Sequence, residues 1–440
     1  MKYFVFMLAV LGVPPLAFLL SANLRWARYA LWGMMGAVCI YQSTAINFFS
    51  HEDYTGSARG MEVSLVHLFS LAILVALGMK HKFRSWFPER GFQLYALYFI
   101  LCLPSLTAAD DCLISWLEIW KMIMTFLVYL AVYSYLVATD DVRTLVKSFV
   151  FLAIVNFGPT VSQHYSAHYQ AHGIFPHWNC MAMALHLVGT LLFAYYLTHG
   201  VRKLYGKICF VGFACSILAT LWSYSRGAFL VMPICYGLTL VSCFLEGRGT
   251  IGKLKRLLPI ALVCILGIAV ILPRVIERFV TAPKASGDTR VELAYCAWEM
   301  IRDEPLRGVG INNWSLKMSP PHTYQENASA AIDRDLNYTG IVETVYLLVG
   351  AECGIPALLA MLAWFGWYVF VCVRLLWRLK GTEWYFIPAG LLGGLTANYL
   401  QSVLEWVLRQ PMNLICLVFV FALLSYLDTD WKRLRKTAGA

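Results

Sequence analysis

ICFVGFACSILATLWSYSRGAFLVMPICYGLTLVSCFL, from Ile208 to Leu245, decides the fold. Its two apolar runs, 208–223 and 227–245, hold no charged residue, and only Tyr224-Ser225-Arg226 stands between them. Each run approaches the ~20 residues a helix needs to cross a hydrocarbon core. So short a connection makes a helical hairpin with a lone guanidinium, Arg226, at its tip. Working outward, similar runs lie at 3–20, 29–48, 62–79, 92–109, 113–138, 148–162, 178–198, 257–273, 350–373, 386–405 and 412–427.

The chain is 60% hydrophobic and 14% charged, against roughly 25% charged in soluble domains. The expected fold is all-α: a polytopic integral membrane protein of about 12 (12–13) transmembrane helices, one integral domain over residues 1–440. Thirteen spans would put Met1 outside, twelve with both ends inside is the commoner plan, and Pro14-Pro15 interrupts the first run, so the count stays open between the two. That first run lacks a small-residue cleavage site, so it reads as a span and not a removed signal. Lys and Arg fall in alternate loops, such as Lys80/Lys82/Arg84, Arg202/Lys203/Lys207 and Lys432/Arg433/Arg435. The positive-inside rule makes these cytoplasmic. The opposite loops, 49–61, 110–112, 163–177, 224–226, 273–342 and 406–411, are then extracytoplasmic.

The net charge of +10 is scattered over short loops, which argues against a nucleic-acid partner. Membrane lipids are its expected surroundings. The thirteen cysteines sit mostly inside apolar runs and show no CxxC or Cys/His spacing, so no metal and no other cofactor is expected. His164, His168 and His172 recur every fourth residue with His177 nearby, a spacing that can bind a metal. Gly173 and Pro176 interrupt that segment, which reads better as a polar outer loop. Glu118 and Lys121 share one face of a span and read as an internal ion pair or as a functional intramembrane charge.

The long outer loop, 273–342, is the most polar part of the chain. Arg290 to Arg302 puts Val291, Ala294, Tyr295, Trp298 and Ile301 on one helical stripe, with Asp288 or Thr289 as N-cap and Pro305 and Gly308 beyond its end. A short helix on the membrane surface is expected there. Trp178, Trp222, Trp298 and Trp314 read as interface anchors or as platforms for sugar rings.

Three stretches taken together resemble a known group. Ser225-Arg226-Gly227-Ala228 opens a span. Arg290…Trp298…Asp303-Glu304-Pro305-Leu306-Arg307-Gly308-Val309-Gly310 follows. Then come Val342-Glu343-Thr344-Val345-Tyr346-Leu347 and Ala351-Glu352-Cys353-Gly354-Ile355-Pro356. In this order they resemble the O-antigen ligase and O-antigen polymerase superfamily, over roughly Asn179 to Arg374. The family's His-Asn pair falls on Glu343-Thr344, so a carboxylate stands where the catalytic imidazole is expected. Either Glu343 is the base, or His322, upstream, supplies it, or the activity differs from the family's.

The resemblance implies a glycosyltransferase of the bacterial inner membrane, multi-pass, with its site on the periplasmic face and a role in lipopolysaccharide biosynthesis. The donor would be an undecaprenyl-diphosphate-linked glycan. The acceptor would be a glycolipid (lipid A–core) for a ligase, a growing glycan for a polymerase, or a protein for an O-oligosaccharyltransferase. Arg226 and Arg290, with Glu352 and Tyr346, are the expected substrate-binding residues, and Glu343 and His322 the catalytic candidates. The physics agrees with such a reaction. Breaking a sugar–phosphate bond builds charge on the diphosphate, and guanidinium groups match phosphate oxygens bidentately. The acceptor hydroxyl needs a base within hydrogen-bond reach, and attack opposite the leaving group inverts the anomeric centre without a metal. The bland readings are a helix cap or lipid headgroup contact for Arg226, a local ion pair with Asp288 or Glu292 for Arg290, and a turn residue for Glu352. A lipid-linked sugar transporter or flippase is the rival from another class. Glu118, Lys121 and Glu405 would be its mid-membrane charges.

Overall fold

The computed structural model describes residues 2–51, 53–80, 89–166, 170–280, 284–333 and 340–437. The fold is all-α and built for a membrane. Among the described residues nine helices are long and apolar enough to cross one: Tyr3–Ala22, Arg90–Ala108, Cys112–Thr139, Val142–Tyr165, Trp178–His199, Leu204–Trp222, Arg226–Leu245, Val345–Arg378 and Pro411–Lys436. The other expected runs correspond to helices Leu65–Met79, Thr250–Val280 and Phe386–Gln401, while the 29–48 run is helical over Ala27–Cys39 and continues as a short helix, Tyr41–Thr44, and a strand, Ile46–Phe48. The first helix continues through Pro14 and Pro15 instead of stopping there. The 49–61 connection is flanked by two short strands, Ile46–Phe48 and Met61–Val63, paired antiparallel with Ile46 opposite Val63.

The chain forms two compact units. One comprises Asp140–Ala282, Val369–Gln401 and Ala422–Ala440. Its central helix, Trp178–His199, is buried on nearly every side, as an apolar helix without a polar face must be. Lipid tails give no hydrophobic drive between helices, so close backbone approach through small residues has to hold them. Phe386–Gln401 supplies it. A β-carbon on Gly390 would lie 2.5 Å from Leu191 Cα, and one on Gly393 would lie 2.4 Å from the Cys235 carbonyl oxygen. Arg374 and Arg378 both close on Asp428 within this unit.

The other unit comprises Met1–Thr139, Pro283–Tyr368 and Ser402–Phe421. Here the polar excursion folds against the start of the Val345–Arg378 helix. That helix is broken at Gly354, where φ is +82° and ψ 169°. A break inside an apolar helix exposes backbone groups that hydrocarbon cannot satisfy. The Glu304–Gly310 segment satisfies them. Val309 N–H donates to the Ala351 carbonyl at 2.9 Å, Gly310 N–H to the Glu352 carbonyl at 3.1 Å, and Ile355 N–H to the Pro305 carbonyl at 2.8 Å. Glycine is required at the crossing: Gly308 has φ +69°, and a β-carbon there would lie 2.4 Å from Glu352 C. The two sequence motifs are thus the two halves of one interlock.

Candidate functional site

The Lys284–Asp303 helix begins several residues ahead of its expected start and ends where Pro305 predicts. Its buried stripe is Leu293, Cys296, Ala297, Met300 and Ile301, packed with Val309, Trp314, Val342, Leu348 and Ala351. Of the expected stripe, Ile301 packs inward, whereas Val291 and Trp298 are 66% and 60% exposed. The helix has two apolar faces, and only one of them packs inward. Trp314, read from sequence as a surface anchor, is fully buried and donates its indole N–H to the Gly340 carbonyl at 2.9 Å.

This packing sets Arg290 against Glu343. Its Nε donates to Glu343 Oε2, and its terminal nitrogen lies 3.6 Å from Glu405 Oε1. Glu405 also works through its backbone. With Ser402, its carbonyl accepts the N–H of Val345, the residue that opens the Val345–Arg378 helix two positions after Glu343. One residue therefore fixes both members of the Arg290–Glu343 pair. Arg290 and Glu343 are each about a third exposed, at 32% and 31%, whereas Glu405 is 9% exposed. Tyr346 stands half-buried in the first turn beyond Glu343.

Glu352 lies in a different constellation of the same unit. It is buried and pairs with Arg409, and its other oxygen accepts from Trp314 N–H at 3.3 Å. Arg409 Nε also donates to Glu118 Oε1 at 3.1 Å, and Glu118 pairs with Lys121 at 2.6 Å. Lys121 Nζ caps the Arg409 carbonyl at 2.8 Å, and Ser57 Oγ donates to Glu118 Oε2 at 2.8 Å. Two cations and two carboxylates neutralise one another here. Buried charges persist only when paired and hydrogen-bonded in this way. Asn312, with φ +59°, ties the cluster's neighbours together. Its amide bonds Ala58 at 2.8 and 3.1 Å and the Ile114 carbonyl at 2.9 Å.

His322 joins a third group. Its Nε2 lies 2.6 Å from Asp110 Oδ2, while Lys317 Nζ lies 2.6 Å from Asp110 Oδ1. Partial burial pushes the Asp110 carboxyl up, but the hydrogen bonds and charges of Lys317 and His322 outweigh it and hold it below its usual value.

Arg226 belongs to the other unit, where it opens the Arg226–Leu245 helix. Ser225 caps that helix, its Oγ accepting from Ala228 N–H at 3.2 Å. Tyr224 takes the positive φ (+47°) that turns the chain. Among the histidines of the 163–177 segment, His164 stacks on Trp222 with centroids 4.5 Å apart. His172 Nδ1 meets the Phe175 carbonyl at 2.6 Å, and His177 caps Asn179 N–H at 3.2 Å. Burial, then the charge of His172, lowers His177 to about 4. His168 lies outside the described residues. Among the described residues no three His, Cys, Asp or Glu side chains converge as a metal site.

Sequence reasoning missed Arg409 and the anchoring role of Glu405. The available signal was periodic: Gln401, Glu405 and Arg409 are four apart in a stretch, QSVLEWVLR, whose other residues are apolar except Ser402.

Residues 211–362 match a family model described as O-Antigen ligase. The matched stretch contains Arg226, Arg290, His322, Glu343, Tyr346 and Glu352 and stops short of Glu405 and Arg409. No curated protein matches the chain.

Proposed function

We propose, from the premise that residues 211–362 belong to the O-antigen ligase/polymerase superfamily, that this multi-pass glycosyltransferase moves a glycan from undecaprenyl diphosphate to an acceptor such as lipid A–core on the periplasmic face. The observation that carries the reading is the Arg290–Glu343 pair: a guanidinium and a carboxylate in contact, partly exposed, and fixed from behind by Glu405. Arg290 offers a guanidinium to the diphosphate and Tyr346 lines the site; Arg226, at the start of its own helix, is the second candidate for phosphate contact. Glu343 takes the proton of the acceptor hydroxyl. That oxygen bonds to the anomeric carbon as the carbon–oxygen bond to phosphate breaks, and the electron pair leaves on the diphosphate. Attack from the opposite face inverts the sugar. The leaving charge is met by fixed positive groups, which is where electrostatic preorganisation acts. Glu352 serves from beneath by holding Arg409 and the Trp314 backbone. Polymerase and protein O-oligosaccharyltransferase readings use the same chemistry and differ in the acceptor. The transport reading loses support, because Glu118 and Lys121 are neutralised within their own cluster and Glu405 is spent on Arg290.

The test is a transfer assay with purified protein, undecaprenyl-diphosphate-linked glycan, lipid A–core acceptor and a metal chelator. The expected product is acceptor-linked glycan of inverted configuration, formed equally with and without chelator. Elongated donor would identify a polymerase. Donor moved across vesicles without transfer would overturn the enzyme reading.

A further inference from the structure

Gln401 is the last residue of the Phe386–Gln401 helix and is 0% exposed. Neither its Oε1 nor its Nε2 has a hydrogen-bond partner among the described residues. Antiparallel packing brings it to a particular place. Gly393 lies against Cys235, and two turns further on Gln401 lies against Gly227, the residue after Arg226. A β-carbon built on Gly227 would stand 3.6 Å from Gln401 Cγ and 3.7 Å from its Nε2. Those are ordinary contact distances, so glycine leaves a gap about one methyl wide between the helix start and the amide. Nothing in the backbone demands glycine here, since Gly227 is not among the residues with positive φ.

A buried amide with both ends unpaired is costly and needs a reason. A helix start favours anions through its free N–H groups and its dipole. Arg226 adds a full positive charge at the same helix start. A carboxamide also has both a donor and an acceptor to satisfy, which fits a ligand that offers phosphate oxygens and sugar hydroxyls together. We infer that Gln401 is a substrate-binding residue whose Nε2 donates to a phosphate oxygen of the lipid-linked diphosphate, and that Gly227 is glycine to leave room for that oxygen. This rests on the diphosphate reading above.

The test uses Gln401→Leu, which keeps the volume and removes the amide, and Gly227→Ala, which fills the gap without a clash. Thermal unfolding is followed in detergent with undecaprenyl diphosphate and, as control, undecaprenol, and the same proteins enter the transfer assay. The wild type is expected to gain Tm with the diphosphate and not with the alcohol. Both variants are expected to start at or above the wild-type Tm, to lose that gain, and to raise the donor KM about tenfold or more. A structural residue would not produce that pattern, because removing it lowers the starting Tm. Variants that keep the wild-type gain and KM would overturn the inference and leave the transferase reading standing, as would a Gln401→Leu protein that starts less stable. A wild type that neither transfers nor responds to the diphosphate would overturn both.

Discussion

Arg409→Met is expected to cost about 3–5 kcal/mol of stability, the usual toll of removing one partner from a buried ion pair. The side chain is buried, and it answers Glu118 and Glu352 from one guanidinium. Taking it away leaves two buried carboxylates facing a single ammonium, Lys121. The loss should propagate. Glu352 also receives the Trp314 N–H, and its backbone carbonyl holds Gly310 in the interlock that repairs the broken helix. The companion Arg409→Met/Glu352→Gln protein, with one uncompensated charge fewer, should recover part of the deficit. Chemical unfolding in detergent measures both. A single variant within about 0.5 kcal/mol of wild type, the usual range for surface changes, would show that the cluster is not the keystone described here.

Glu343→Gln is expected to lower kcat by about 10²–10⁴, the range for losing a positioned general base. Its stability should change little, because a partly exposed ion pair is worth only about 0–1 kcal/mol. His322→Ala should keep kcat within a few-fold of wild type, since His322 is engaged with Asp110 in a group that also holds Lys317. The reverse result, with His322→Ala inactive and Glu343→Gln active, would give the base role to the Asp110-oriented imidazole. The comparison is informative because the two side chains belong to separate clusters and neither substitution removes the other's partners.

Much of the architecture was legible because length and hydropathy report directly on a bilayer. The runs around Trp178–His199 and Arg226–Leu245 are long, uncharged and cut by recognisable turns. The motif region was legible as a site because its residues are unusual for a membrane chain: Arg290, Glu343, and glycines at crossings that no β-carbon can occupy. Short-range chemistry failed elsewhere for identifiable reasons. Strands of three residues, as at Ile46–Phe48, leave no period to detect. On the Lys284–Asp303 helix, periodicity cannot say which of two apolar faces packs against the protein, and Val291 and Trp298 lie on the one left exposed. Arg409 and Gln401 are single polar residues in an apolar stretch, and their meaning comes from partners far away in sequence, Glu118 and Gly227. Arg290 reaches Glu343 and Glu405, carboxylates that no local spacing announces.

The most direct trial of the account is the transfer assay run on Arg226→Ala and Arg290→Ala beside wild type, with Tm recorded for each protein. Each variant is expected to insert and to unfold near the wild-type temperature yet to lose about 10²–10³ or more in transfer rate, as when a charge-stabilising donor is removed. Wild-type turnover in both variants would contradict it.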